Sequence, residues 1–208
     1  MQSTNRCPGG CCVRVGTRRY DQAGAVLAQL EGPIKPKIRG RAPARNLKTV
    51  SQLKYKAATA EAWWVYQMMD EAYVYQPTGC AGPAAIASCK LHVLYHGCGG
   101  GGQTDNIIHV GYLEYAESNN IIIVFPQSKA GLGNLGGCWD WWGITGKAFD
   151  TNESLQLNVV MRLVHDLPSV LDDAPTAPRS VRTTSTAGGF ASMNLTTAST
   201  PRPVASRH

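Results

Sequence analysis

The residues best placed to do chemistry lie between Lys90 and Trp142, in a stretch that opens KLHVLYHGCGGGG and closes GGCWDWW. An apolar strand pattern over residues 91–95 stops at His96-Gly97-Cys98, and four glycines follow. With no side chains to shield the main chain, backbone N–H groups stand uncovered just past a strand's carboxyl end, where they can stabilise negative charge developing on a carbonyl oxygen. Cys98 reads either as a nucleophile or as the disulfide partner of Cys138. His96 either shapes the turn or moves a proton. The indoles of Trp139, Trp141 and Trp142 either fill core or line an apolar cleft beside the glycines. Phosphate binding is disfavoured, because the glycine run lacks both a Lys-Ser/Thr ending and GxGxxG spacing.

These residues need elements to hold them. A second apolar run over 121–125 closes at Pro126, and the pattern through Ile108, Tyr112 and Tyr115 predicts a helix over 107–118 that places His109 structurally. Strand, helix and strand then occupy the span of a parallel crossover. Residues 72–76 alternate as a short strand, and Cys80 and Cys89 bracket a Gly-Pro-Ala loop that a local disulfide would close. Asp150 and Glu153 predict a capping box for a helix striped by Leu155, Val159, Leu163 and Leu167, ended by Pro168, with His165 near its C-terminus. Asp21 to Leu30 and Ala57 to Met69 carry further helix patterns.

Composition bounds the class. The 208 residues carry a net charge of +6, but the basic groups concentrate in residues 1–56 and the middle of the chain is acidic. Residues 35–56 hold eight basic side chains and no acidic one, with only Tyr55 as an aromatic, which predicts a solvated basic connection rather than a nucleic-acid surface. Seven cysteines suit an oxidising compartment. Cys7, Cys11 and Cys12 lack a second ligand pair for zinc. No apolar run is long enough to span a membrane, and Met1 to Gly10 has no signal-peptide core, so the expectation for a secreted protein is that its export signal is missing here. Beyond Leu171 the texture turns to Pro, Thr, Ser and Arg, marking a linker or new domain.

The series AYVYQPTGC, CKLHVLYHGC, GYLEYAESNNIIIVFPQ and GCWDWWG, with RRYDQAGAVL before it, resembles the extracellular polyhydroxyalkanoate (polyhydroxybutyrate) depolymerases, in particular their circularly permuted α/β-hydrolase catalytic domain. The resemblance implies an α/β fold: a partial α/β-hydrolase sheet, mostly parallel, with flanking helices and a Pro/Thr-rich tail. It divides the chain into an unassigned end at 1–19, a depolymerase-like domain at 20–171 with a basic insert at 35–56, and a linker or truncated fibronectin type III-like segment at 172–208. By position, the Cys98 N–H becomes an oxyanion donor, Trp141 and Trp139 become substrate-binding, and Cys80–Cys89 and Cys98–Cys138 become disulfides. In the permuted family the Ser elbow and the rest of its triad lie upstream of the Tyr-Asp helix, and no such elbow occurs in residues 1–19. Thr186 in Ser-Thr-Ala-Gly-Gly resembles an elbow nucleophile; the competing reading makes that tail a fibronectin type III opening.

The implied activity is polyester or short hydroxyalkanoate ester hydrolysis through an acyl-enzyme, with no metal or organic cofactor. The implied partners are the ester substrate and a missing upstream half, with no nucleic acid and no membrane, and the implied location is extracellular. The alternative is a noncatalytic polymer-binding or nonfunctional fragment.

Overall fold

The computed structural model describes residues 20–57 and 62–173. Cys7, Cys11, Cys12 and Thr186 lie outside them, as does the tail beyond residue 173.

Residues 121–125 are five consecutive apolar side chains, and all five are buried. Such a run needs cover on both faces, and it forms strand β4 (Ile121–Phe125) inside a four-stranded sheet. With β1 (Leu47–Ser51), β2 (Glu71–Tyr75) and β3 (Lys90–Val93), the order across the sheet is β1-β2-β4-β3. One face packs Val50, Ala72, Val74, Ile122 and Val124 against Val159, Leu163, Leu167 and Leu171. The other packs Tyr73, Tyr75, Ile121, Ile123 and Phe125 against Ala23, Leu27, Ile107 and Leu113. The result is a three-layer α/β architecture.

The first face is covered by α6 (Leu155–His165) and α7 (Leu167–Asp173), with α2 (Trp63–Tyr66) and α3 (Pro83–Ser88) beside them. The second is covered by α1 (Gln22–Glu31), α4 (Thr104–His109) and α5 (Leu113–Asn119). Asp21 caps α1 by accepting from the Gly24 N–H. The single helix expected over 107–118 is two helices, broken where Gly111 adopts φ +84°, a left-handed conformation open to glycine.

The parallel pairing of β3 with β4 is as the sequence predicts. The mostly parallel sheet is not: β2 pairs antiparallel with both β1 and β4. The reason is the connection. Tyr75 leaves β2 beside Ile123, and Lys90 enters β3 beside Ile121, so the chain between them stays at one end of the sheet, closed by the Cys80–Cys89 disulfide. A strand entered and left in this way lies opposed to its neighbour.

Three further expectations are corrected. The basic stretch at 35–56 is not all connection, because it contains β1, whose Leu47, Thr49 and Val50 are buried. Among the described residues of the helix expected over 57–69, only the single turn of α2 is helical, with Gln67 closing it at φ 50°. The cap of α6 is Ser154, which accepts from the Leu157 N–H, rather than Asp150; α6 ends at His165, and Pro168 stands in the first turn of α7.

Candidate active site

The crossover β3–α4–α5–β4 delivers two adjacent strand ends to one edge of the fold. From β3 emerges the loop 94–103, and from β4 the segment 126–146. Side chains with no sequence signature join them. Gln127 accepts from the Gly102 N–H through Oε1 at 2.8 Å and donates through Nε2 to the Phe125 and Pro126 carbonyls at 3.0 Å. Gln52 locks it from behind, accepting from the Gln127 N–H at 2.9 Å and donating to the Gln127 carbonyl at 3.0 Å. Both glutamines are buried, so their complete pairing is what makes the burial tolerable.

The glycines allow close approach. A Cβ on Gly101 would lie 2.1 Å from the Ser128 carbonyl oxygen, so only glycine fits there without movement of the main chain. A second tie is the Cys98–Cys138 disulfide, seconded by the Gly99 N–H donating to the Gly136 carbonyl at 2.6 Å. Cys98 is therefore a bridge and not a free thiol. Its side chain is committed, but it lies at the surface, and its N–H has no hydrogen-bond partner among the described residues.

His96 shapes the turn. Its Nε2 accepts from the Ser128 N–H at 3.0 Å, which leaves Nδ1 as the protonated nitrogen, donating to the Gly97 carbonyl at 2.7 Å. Burial pushes the imidazole below its usual pKa, against the opposing pull of the Gly97 contact. The Ser128 hydroxyl lies 3.3 Å from the same Nε2, a Ser–His contact. It is no catalytic pair, because Ser128 is fully buried and its hydroxyl donates to the Gly137 carbonyl at 2.7 Å. His109 and His165 are exposed, His109 at the end of α4 and His165 at the end of α6.

The three indoles separate. Trp139 packs inward, edge-on to Tyr95 at 4.9 Å and tilted against His96 at 5.4 Å, with its Nε1 buried and unpartnered. Trp141 is 74% exposed and stands edge-on to Trp142 at 5.3 Å. These two, with Asn134, Leu135, Gly136 and Cys138, line an open cavity of about 380 Å³; Trp139 is not among its walls. Asp140 sets this division. Its Oδ1 accepts from the Trp142, Gly143 and Ile144 N–H groups, and its Oδ2 from the Thr145 N–H and hydroxyl, all between 2.7 and 3.1 Å. Burial opposes the charge, but the Thr145, Trp142 and Gly143 hydrogen bonds outweigh it and hold the carboxyl below its usual pKa. An aspartate followed by five chain positions that fold back onto it is a turn signal the sequence does carry. Among the described residues no three His, Cys, Asp or Glu side chains gather as metal ligands, and no helix is long and apolar enough to cross a membrane.

No protein-family model matches the chain. Among curated proteins it is 30% identical over 179 residues to the polyhydroxybutyrate depolymerase of Talaromyces funiculosus, covering 79% of this chain and 50% of that one. It is 28% identical over 153 residues to the poly(3-hydroxybutyrate) depolymerase of Delftia acidovorans, covering 72% of this chain and 29% of that one. Among solved structures, the polyhydroxybutyrate depolymerase of Penicillium funiculosum superposes with a TM-score of 0.60 at 29% identity, over 72% of this chain and 48% of that one. A serine-to-alanine variant of such a depolymerase, complexed with an R3HB trimer, gives 0.61 over the same shares. Sheet order, layers and strand-end loops thus define a partial α/β-hydrolase fold. Within that class the chain is a partial polyhydroxybutyrate depolymerase homologue, spanning half or less of the length of the relatives it matches.

Proposed function

We propose that this chain supplies the oxyanion-binding and substrate-holding part of a carboxylic ester hydrolase acting on polyhydroxyalkanoate, or on short hydroxyalkanoate esters. The observation that carries this reading is that Cys98 is exposed and its N–H has no hydrogen-bond partner among the described residues, while its disulfide partner Cys138 lines the cavity with Trp141 and Trp142. A hydroxyl nucleophile gives its proton to a general base and attacks the ester carbonyl, whose π electrons move onto oxygen; the base returns that proton to the departing alkoxide. The Cys98 N–H stabilises that oxyanion, collapse expels the alcohol, and water releases the acid from the acyl-enzyme. Trp141 holds the aliphatic segment in the cavity. This chemistry needs no metal or organic cofactor, and two disulfides support an extracellular setting.

Ser128 is committed elsewhere, and Thr186 lies outside the described residues. A fluorophosphonate ester probe followed by mass spectrometry tests for the nucleophile on native and heat-unfolded chain. Labelling of Thr186 in the native sample alone means the chain carries its own nucleophile. A native chain that neither reacts nor cleaves a soluble hydroxybutyrate ester overturns catalysis by this chain and leaves the polymer-binding alternative.

A further inference from the structure

The carbonyl that accepts from His96 Nδ1 belongs to the same peptide unit as the Cys98 N–H. Gly97 C=O and Cys98 N–H are two ends of one planar amide, so whatever orients the oxygen orients the hydrogen. Nδ1 donates to that oxygen at 2.7 Å, and the Gly100 N–H donates to it at 3.0 Å. Packing does not hold the Gly97 side of this peptide: a Cβ on Gly97 would meet nothing within 4 Å, and glycine is the residue freest in φ and ψ. The imidazole is restrained instead. Its Nε2 accepts the Ser128 N–H at 3.0 Å, and Trp139 lies tilted against its ring at 5.4 Å. Gly100 and Gly101 close over it, where a Cβ on Gly100 would come within 3.0 Å of the His96 Cβ and one on Gly101 within 3.5 Å of its Cε1. The hydrogen bonds also run in one direction, from the Ser128 N–H into Nε2, then from Nδ1–H into the Gly97 carbonyl, and so to the Cys98 N–H. Each donation in such a chain polarises the next group and makes it the stronger donor.

We propose that His96 is a positioning residue for the oxyanion site: anchored on Ser128, it aims and polarises the Gly97–Cys98 peptide so that the Cys98 N–H meets the charge developing on the ester oxygen. This role rests on the ester-hydrolase reading for what the N–H does, but the relay through the imidazole is measurable without turnover. The test is NMR of the isotope-labelled whole chain at neutral pH. In wild type the ring nitrogen resonances show the proton on Nδ1; a proton on Nε2 overturns the relay with no variant needed. H96N places an amide N–H where Nδ1 stands and gives up the acceptor for Ser128, whereas H96Q places an amide oxygen where Nε2 stands and gives up the donor to Gly97. The Gly97 carbonyl carbon and Cys98 amide nitrogen resonances move upfield in H96Q and stay near wild type in H96N. Equal movement in both variants makes His96 a structural tie alone, and no movement in either leaves the peptide held without it; each result overturns the proposal. On a soluble hydroxybutyrate ester, H96Q lowers kcat about tenfold with KM unchanged, a part of the roughly 100–1,000-fold cost of removing a donor outright, and H96N recovers most of it. An equal loss of kcat in the two variants counts against the relay. A wild-type chain without turnover that shows the same resonance pattern rejects catalysis by this chain and retains the positioning of the N–H.

Discussion

His96 accepts the Ser128 N–H at 3.0 Å across 32 residues of sequence, and this contact joins the Gly102–Gln127 hydrogen bond and the Cys98–Cys138 disulfide in tying together the loops that leave β3 and β4. It demands a neutral imidazole with Nε2 free to accept, and protonation would set two N–H groups against each other. A histidine held neutral in the fold and free to protonate when unfolded contributes stability that is present above its unfolded pKa and is lost as pH falls from there towards the depressed folded value. The half-buried His92, stacked on Tyr112 and also lowered by burial, adds in the same direction. Thermal unfolding followed between about pH 7 and 5 should therefore show a falling midpoint. H96A should flatten part of that slope and cost about 1–3 kcal/mol at pH 7.5, the penalty of orphaning the Ser128 N–H. An unchanged slope in H96A would show that the contact does not govern it.

The glycine run makes a sharper pair of expectations. A Cβ on Gly97 meets nothing within 4 Å, while one on Gly101 meets main-chain oxygen at 2.1 Å. G97A should leave the unfolding midpoint within about 0.5 kcal/mol of wild type, and G101A should cost about 2 kcal/mol or more by pushing the loop off Ser128. Denaturant titration of the two variants side by side checks this, and equal stability would mean that the loop does not sit where it is described.

How far the sequence leads is plain from these elements. Strand β4 and helix α6 are legible because their periods are uninterrupted: five apolar residues in a row, and a stripe through Val159, Leu163 and Leu167. Strand β1 is hidden because an edge strand needs only part of its side chains buried, and its lysine sits among the other basic residues of 35–56. The orientation of β2 is equally hidden, since the period of a strand is the same in either direction. At the site, the strand-end glycines and the disulfides announce themselves by type and spacing. Gln52 and Gln127 do not, because a hydrogen bond between residues 75 apart leaves no local pattern.

Asp140 is worth more than its exposure suggests, since four N–H groups and one hydroxyl converge on it. D140A should cost about 2–3 kcal/mol and shift Trp emission to the red as the 140–145 loop opens around Trp141 and Trp142. Its depressed pKa makes the contribution present above the unfolded carboxyl pKa and lost as pH falls through the folded value, so the variant should converge with wild type at acid pH. A constant difference in stability down to about pH 2 would assign the loss to packing instead of charge.

The two disulfides close loops of different length, with sequence separations of 9 and 40. Chain entropy assigns about 2.5 kcal/mol to Cys80–Cys89 and about 4 kcal/mol to Cys98–Cys138, so C98S/C138S should be the less stable double variant. Urea midpoints measured without reductant give the order, and the reverse order would show that the local bridge, by fixing the turn between β2 and β3, matters beyond its loop length.

The last prediction separates the indoles. Trp139 is wedged between Tyr95 and His96 against the core, so W139A should cost about 2–3 kcal/mol, short of the full-burial range because the ring is only half-buried. W139F should restore most of that, since it keeps the ring contact and removes an N–H that is buried without a partner. Trp141 contacts Trp142 and solvent, so W141A should change stability by less than about 0.5 kcal/mol. Its loss should instead weaken a soluble hydroxybutyrate oligomer's quenching of Trp emission by about tenfold in apparent affinity, the scale of one aromatic contact in an apolar cleft. Quenching that survives W141A but vanishes in W139F would move the substrate from the cavity to the inner side of the loop, and with it the place where the Cys98 N–H must act.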